Sequence, residues 1–134
     1  MMNIKITLEK TNTGYSAYSE DLPGAVSAGE SIQEVKDNFE EVRSLLVDDF
    51  LEQGKVQQAK ELQNAKFMFY LDLKTFFEYY SLFNKSELAK YLGLNPSHLR
   101  RLSSQNIELS EQKSLQIQRG LHQLADDLKQ FYFA

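Results

Sequence analysis

Apolar and polar side chains alternate near the start of the chain. Ile4, Ile6 and Leu8 fall on one side, with Lys5, Thr7 and Glu9 on the other. A period of two marks a half-buried strand, predicted over Asn3 to Glu9. Thr11-Asn12-Thr13-Gly14 supplies turn residues, and a second strand is expected over Tyr15 to Glu20, giving a hairpin. Asp21-Leu22-Pro23-Gly24 breaks that strand, because proline has no N–H to give to a ladder, and Ala25 to Ala28 reads as a short third strand. The period then changes. Ser31 and Glu34 form a capping box, and Ile32, Val35, Phe39, Val42, Leu45, Leu46 and Phe50 recur every three or four residues. They define a long amphipathic helix on one sheet face, ended by Gly54. Lys55 to Lys66 is polar and glutamine-rich and admits two readings, a linker or a weak helix held by Val56, Ala59 and Leu62. Phe67 to Leu71 predicts a fourth strand.

The second half is helical throughout. Asp72 caps a helix expected from Leu73 to about Ser81, whose Phe76, Phe77, Tyr79 and Tyr80 are read as core rather than as a base-stacking platform, because buried aromatics dominate small cores. Asn84 to Gln105 then reads as two short helices and a tight turn. Asn84 caps the first, with Glu87 closing a capping box, and Leu88, Ala89 and Leu92 share its inner face. Gly93 allows the reversal, Asn95 caps the second helix, Pro96 occupies its first position, and Leu99 and Leu102 point inward. Ser110 opens a last helix to about Phe131, with Ile117, Leu121, Leu124, Leu128 and Phe131 as a seam. Its far end, with Tyr132 and Phe133, is expected against another subunit. Gly120 weakens that helix by roughly 1 kcal/mol against alanine and permits close approach of a neighbour. The expected class is α+β, with an amino-terminal βββαβ domain over 1–71 and an all-α domain over 72–134.

Small Ala89 four residues before Gly93, followed by Leu94, Leu99 and Leu102, resembles the helix-turn-helix of DNA-binding repressors. With Leu99 and Leu102 inward, an advance of about 100° per residue turns Ser97, Arg100, Arg101 and Ser104 outward and leaves His98 at the edge. Arginine can bind guanine bidentately and serine can meet phosphate or base, so these four are the candidate DNA-reading residues, with Lys85 and Lys90 as phosphate contacts. A solvated helix face is the competing reading.

The net charge of −4 first argues against nucleic acid. Its distribution removes the objection. Before Asn84 there are 8 Lys/Arg against 14 Asp/Glu, whereas from Asn84 to Gln105 Lys85, Lys90, Arg100 and Arg101 face Glu87 alone. A basic patch on an acidic body fits a DNA-reading module beside a region that meets a basic partner. Glu40, Glu41, Asp48 and Asp49, on the outer side of the first long helix, are the candidate residues for that partner. Solubility explains the acidity equally well from charge alone. There is no cysteine, and no apolar run is long enough to span a bilayer; with no charged-then-apolar leader, a reducing cytoplasm is the expected location.

The stretch Gly14-Tyr15-Ser16-Ala17-Tyr18-Ser19-Glu20-Asp21-Leu22-Pro23-Gly24, followed by Ala25, Val26, Gly29, Glu30, Ser31 and the helix, resembles the HicB antitoxin family. The order of aromatic strand, aromatic helix and helix-turn-helix extends the resemblance over the whole chain. It implies an amino-terminal partial ribonuclease-H-like βββαβ domain and a carboxy-terminal DNA-binding domain. It further implies a type II antitoxin that binds and inhibits a small basic HicA-like mRNA-cleaving toxin and represses its own operon, working as a homodimer or higher oligomer on operator DNA. An orphan transcriptional regulator with a non-catalytic sensory or interaction domain is the alternative.

An enzyme is not expected. A ribonuclease-H enzyme holds two metal ions with several carboxylates, one from the middle of the first strand. Here that strand offers only Glu9, at its end, and Glu20 and Asp21 belong to a turn. His98 and His122 follow no nucleophile pattern, and no metal spacing, phosphate loop or dinucleotide fingerprint implies a cofactor.

Overall fold

The computed structural model describes residues 2–105 and 107–134. The chain is α+β and divides into two compact units, Met1–Asp72 and Leu73–Ala134, each with its own hydrophobic core.

The first unit contains β1 (Asn3–Lys10), β2 (Tyr15–Tyr18), β3 (Val26–Gly29), α1 (Ile32–Glu52), α2 (Val56–Asn64) and β4 (Lys66–Leu71). The sheet order is β3-β2-β1-β4. β1 and β3 pair antiparallel with β2, while β4 runs parallel to β1, with Ile4 opposite Phe67 and Ile6 opposite Phe69. Ile4, Ile6 and Leu8 are buried on the side covered by the helices, together with Val35 and Phe39 of α1 and Ala59 and Leu62 of α2. Phe39 meets Phe67 edge-on at 5.2 Å between ring centroids. Burial of a side chain such as Phe39 contributes about 1.5–3 kcal/mol.

Three expectations for this unit change. β2 stops at Tyr18, not Glu20, because the chain beyond it serves β1 with side chains. Ser19 Oγ donates to the Lys5 carbonyl at 2.8 Å, and Asp21 Oδ2 accepts the Lys5 N–H at 3.4 Å. The capping pair of α1 is offset: Ser31 Oγ accepts the Glu34 N–H, but the Glu34 carboxylate takes the N–H of Glu30 rather than that of Ser31. Lys55 to Lys66 is mostly helix, which inserts α2 into the expected βββαβ order. Val56 is exposed and does not hold it; Ala59 and Leu62 do.

Arg43 fastens the end of α2. One guanidinium nitrogen donates to the carbonyls of Leu62 (3.1 Å), Gln63 (3.3 Å) and Ala65 (2.7 Å). The group lies 3.6 Å from the Phe67 ring centroid, and its Nε stands 3.0 Å from Glu40 Oε2 without hydrogen-bond alignment. A cation at a helix carboxy-terminus meets carbonyls that have no partner within the helix, and the planar guanidinium also suits an aromatic face.

The second unit contains α3 (Leu73–Tyr79), α4 (Lys85–Leu92), α5 (Pro96–Ser104) and α6 (Glu111–Leu128). α3 is shorter than expected, because after the Tyr80 N–H bonds to Phe76 the Phe83 N–H turns back to the Tyr80 carbonyl. Phe76, Phe77 and Phe83 join the core, whereas Tyr79 and Tyr80 are exposed. α6 also ends early, so Phe131 lies outside it. Ile117, Leu121 and Leu124 pack into the unit's own core, and Leu128 does not. Gly120 does admit a neighbour, and that neighbour is Leu92 of α4: a Cβ at Gly120 would stand 2.2 Å from Leu92 Cδ2. Tyr91 of α4 donates to Asp127 of α6 at 3.3 Å; partial burial and then the Asp127 charge hold its phenol above the ordinary tyrosine pKa.

Replacing Arg43 with Met would keep the aliphatic stem and strip the α2 carbonyls of their partner. The expected loss is about 1.5–3 kcal/mol, the range for hydrogen bonds to charged groups. Glu40→Gln, on the more exposed side of the same contact, should cost less than about 1 kcal/mol. Urea unfolding midpoints at unchanged slope would check both.

Candidate nucleic-acid interface

The geometry of α4 and α5 is fixed by caps at each end and by a left-handed residue between them. Asn84 Oδ1 accepts the Glu87 N–H at 3.0 Å. The reciprocal half of the expected capping box is missing, because Glu87 turns its carboxylate to Lys90 Nζ at 3.3 Å. At the far end Gly93 has φ of 74°, a conformation that costs other L-residues energy. The Gly93 N–H then reaches the Lys90 carbonyl and the Leu94 N–H the Ala89 carbonyl, the paired bonds of a Schellman closure. Ala89 is fully buried and Leu94 nearly so, which explains the small residue at position 89. Asn95 Oδ1 accepts from both Ser97 and His98 N–H groups, and Pro96 opens α5.

The rest of the unit clamps this turn. Gln116 of α6 donates to the carbonyls of Leu92 (3.1 Å) and Gly93 (3.3 Å), which would otherwise face outward unpaired. Leu99 and Leu102 seat α5 on the core. Its orientation is therefore set by buried apolar contacts and by the turn before it, which α6 holds through Gln116.

Ser97, Arg100, Arg101 and Ser104 are all exposed on α5, and His98 is half-buried. The side chains are engaged with one another and with α4. Arg100 donates to Ser86 Oγ of α4 at 2.6 Å and to Ser97 Oγ at 3.2 Å. Arg101 lies 3.1 Å from His98 Nδ1. Ser104 Oγ is committed to the Arg100 carbonyl at 2.8 Å, so toward a ligand it offers lone pairs rather than its proton. Of the two lysines, Lys90 is exposed and paired with Glu87, while Lys85 is half-buried with its Nζ 5.5 Å from the Phe77 ring. Ser86 and Lys90 are one helical turn apart and share a side of α4. Ser86 escaped the sequence reading because its contact with Arg100 spans fourteen positions and carries no periodic signal.

The candidate acidic site on α1 is divided. Glu40 turns toward Arg43, whereas Glu41, Asp48 and Asp49 are exposed and share a stripe with Leu45, which the apolar spacing assigns to the inner side of α1 but which is 65% exposed. Among the described residues no three His, Asp or Glu side chains are grouped as metal ligands would be. No helix among them is long and apolar enough to cross a membrane.

Chemically, α5 presents two neighbouring guanidinium groups on a rigid mount. Such groups can bridge the O6 and N7 atoms of guanine or grip phosphate oxygens. No family model, curated protein or solved structure matches the chain.

If α5 reads DNA, Arg100→Ala and Arg101→Ala should each weaken binding to the DNA upstream of the chain's gene by about 1–3 kcal/mol. Ser86→Ala should act in the same direction, more weakly, because it frees Arg100 without removing its charge. Lys90→Ala should lower affinity for all sequences alike and flatten the salt dependence. Gel-shift titrations at two salt concentrations check these outcomes, and full binding by the double arginine variant would remove α5 from the interface.

Proposed function

We propose that the chain is the antitoxin of a type II toxin-antitoxin pair of the HicB kind. It binds and inhibits a small basic HicA-like mRNA-cleaving toxin, and it represses its own operon through a helix-turn-helix formed by α4 and α5. The observation that carries this reading is the exposed Arg100–Arg101 pair on a buttressed helix, in a unit separate from an acidic α+β one. The antiparallel β1–β2–β3 meander followed by a β4 parallel to β1 supports the partial ribonuclease-H-like reading of the first unit. Asp21, Glu34 and Glu40 are used in a turn, a cap and a surface contact, which favours a binding role over catalysis for these three. The protein acts in the cytoplasm, where operator and messenger are found together.

Repressors of this kind read two half-sites and need a two-fold assembly. The uncovered end of the second unit supports one. Leu128, Phe131, Tyr132 and Phe133 are 62, 68, 92 and 98% exposed, an apolar run outside the core of its own unit. Leu128→Glu with Phe131→Glu should convert a homodimer to monomer without unfolding it, since both positions lie outside the core. Light scattering at micromolar concentration checks this, and a monomeric unmutated protein would contradict the assembly.

The function itself is tested with the small reading frame beside the gene. Co-expression of this chain is expected to rescue cells from that neighbour's product and to co-purify with it. A chain ending at Asp72 should still bind, with association slowed by added salt. A harmless neighbour would leave the orphan-regulator reading in its place.

A further inference from the structure

We infer that the open face of the sheet, opposite α1 and α2, is where the first unit docks its basic protein partner; this rests on the antitoxin reading and gives it a surface. The register places Val26, Tyr18, Thr7 and Tyr70 in one row across β3, β2, β1 and β4, on the face away from Ile4, Ile6 and Leu8. Val26 is 64% and Tyr70 44% exposed, and Met68 follows in the next row, opposite Lys5. A one-sided sheet ordinarily carries polar residues on its wet face. Beside Lys5, Thr7, Glu9 and Ser16, this one also carries two tyrosines, a valine and a methionine, residue types of which the aromatics and methionine are enriched in protein interfaces.

Charge selects the occupant. Two shallow concavities share Lys5 and Thr7. One, of about 270 Å³, is lined also by Glu9, Tyr70 and Asp72; the other, of about 90 Å³, by Glu20 and Asp21. Lys5 Nζ lies 4.7 Å from the Tyr70 ring centroid, so this aromatic face already accepts a cation. Each concavity sets two carboxylates against the single Lys5 ammonium, a net negative lining that an arginine or lysine can enter, in the larger one by taking the place of Lys5 on the Tyr70 ring. The same carboxylates repel phosphate, which turns nucleic acid away. The outer stripe of α1 has the same sign of charge but only Leu45 within it, and no aromatic anchor. Steering is available at both places, but an anchor only at the sheet.

The test uses the full chain and the product of the adjacent small reading frame, with binding kinetics at two salt concentrations. Val26→Asp with Tyr70→Ala should weaken binding by about tenfold or more, mainly through faster dissociation. Glu9→Lys with Glu20→Lys should slow association several-fold at low salt and much less at high salt. Glu41→Lys with Asp48→Lys and Asp49→Lys is expected to change affinity by less than about threefold, as rim charges do. Circular dichroism checks folding, and should the Val26/Tyr70 variant unfold, the exposed Glu9 and Glu20 positions decide. Loss confined to the α1 variant moves the partner to α1 and overturns this surface while the antitoxin reading stands. Sheet variants that alter self-association but not capture assign the face to a second copy and overturn it too. If the unmutated chain captures nothing, the antitoxin reading falls and this surface with it.

Discussion

The first unit depends on how a chain returns to lay a fourth strand parallel to its first. Parallel neighbours need a crossover, and here α1 and α2 supply it. Arg43 is the fastener of that crossover. It ties the carboxy-terminal carbonyls of α2 to α1 and stacks on Phe67, the first inward residue of β4. Without a cation there, the last turn of a short helix with two buried anchors would have little to fix it. β4 would then lose the anchor that sets its entry beside β1. The burial of Ile4, Ile6 and Leu8 is complete only when Phe67, Phe69 and Leu71 stand opposite them.

The second unit solves a different problem, the orientation of one exposed helix. α5 has only Leu99, Leu102 and Ser103 buried, too little to orient it alone. Its angle comes from the closure at Gly93, the double cap of Asn95 and the reach of Gln116 from α6. Gly120 contributes by absence, since any side chain there would displace Leu92. The two arginines inherit this rigidity through Ser86, Ser97 and His98. Side chains held in this way have less rotamer freedom left to lose to any ligand they meet.

The two units also divide charge. The acidic one presents carboxylates around an aromatic sheet face, and the basic turn presents guanidinium groups. Charges of opposite sign thus gather in different compact units, and each sets its own local potential.

Periodicity and punctuation determined most of the elements. Alternation at Ile4, Ile6 and Leu8 marked β1, the three-and-four spacing from Ile32 marked α1, and Asn84, Gly93, Asn95 and Pro96 marked both ends of α4 and the start of α5. These are local effects, set within one turn or one strand. The outward side of α5 was legible for the same reason, because helical geometry alone separates Arg100 and Arg101 from Leu99 and Leu102. Tertiary structure decided what local rules leave open. α2 is a helix because Ala59 and Leu62 find a core and Arg43 caps it from α1, contacts about twenty residues away in sequence. β2 ends at Tyr18 because Ser19 and Asp21 are drawn to the backbone of Lys5. Glu40 leaves the acidic stripe because Arg43 takes it, and the row from Val26 to Tyr70 exists only once four strands are in register. In each case the partner is distant along the chain, and no period or propensity encodes a distant partner.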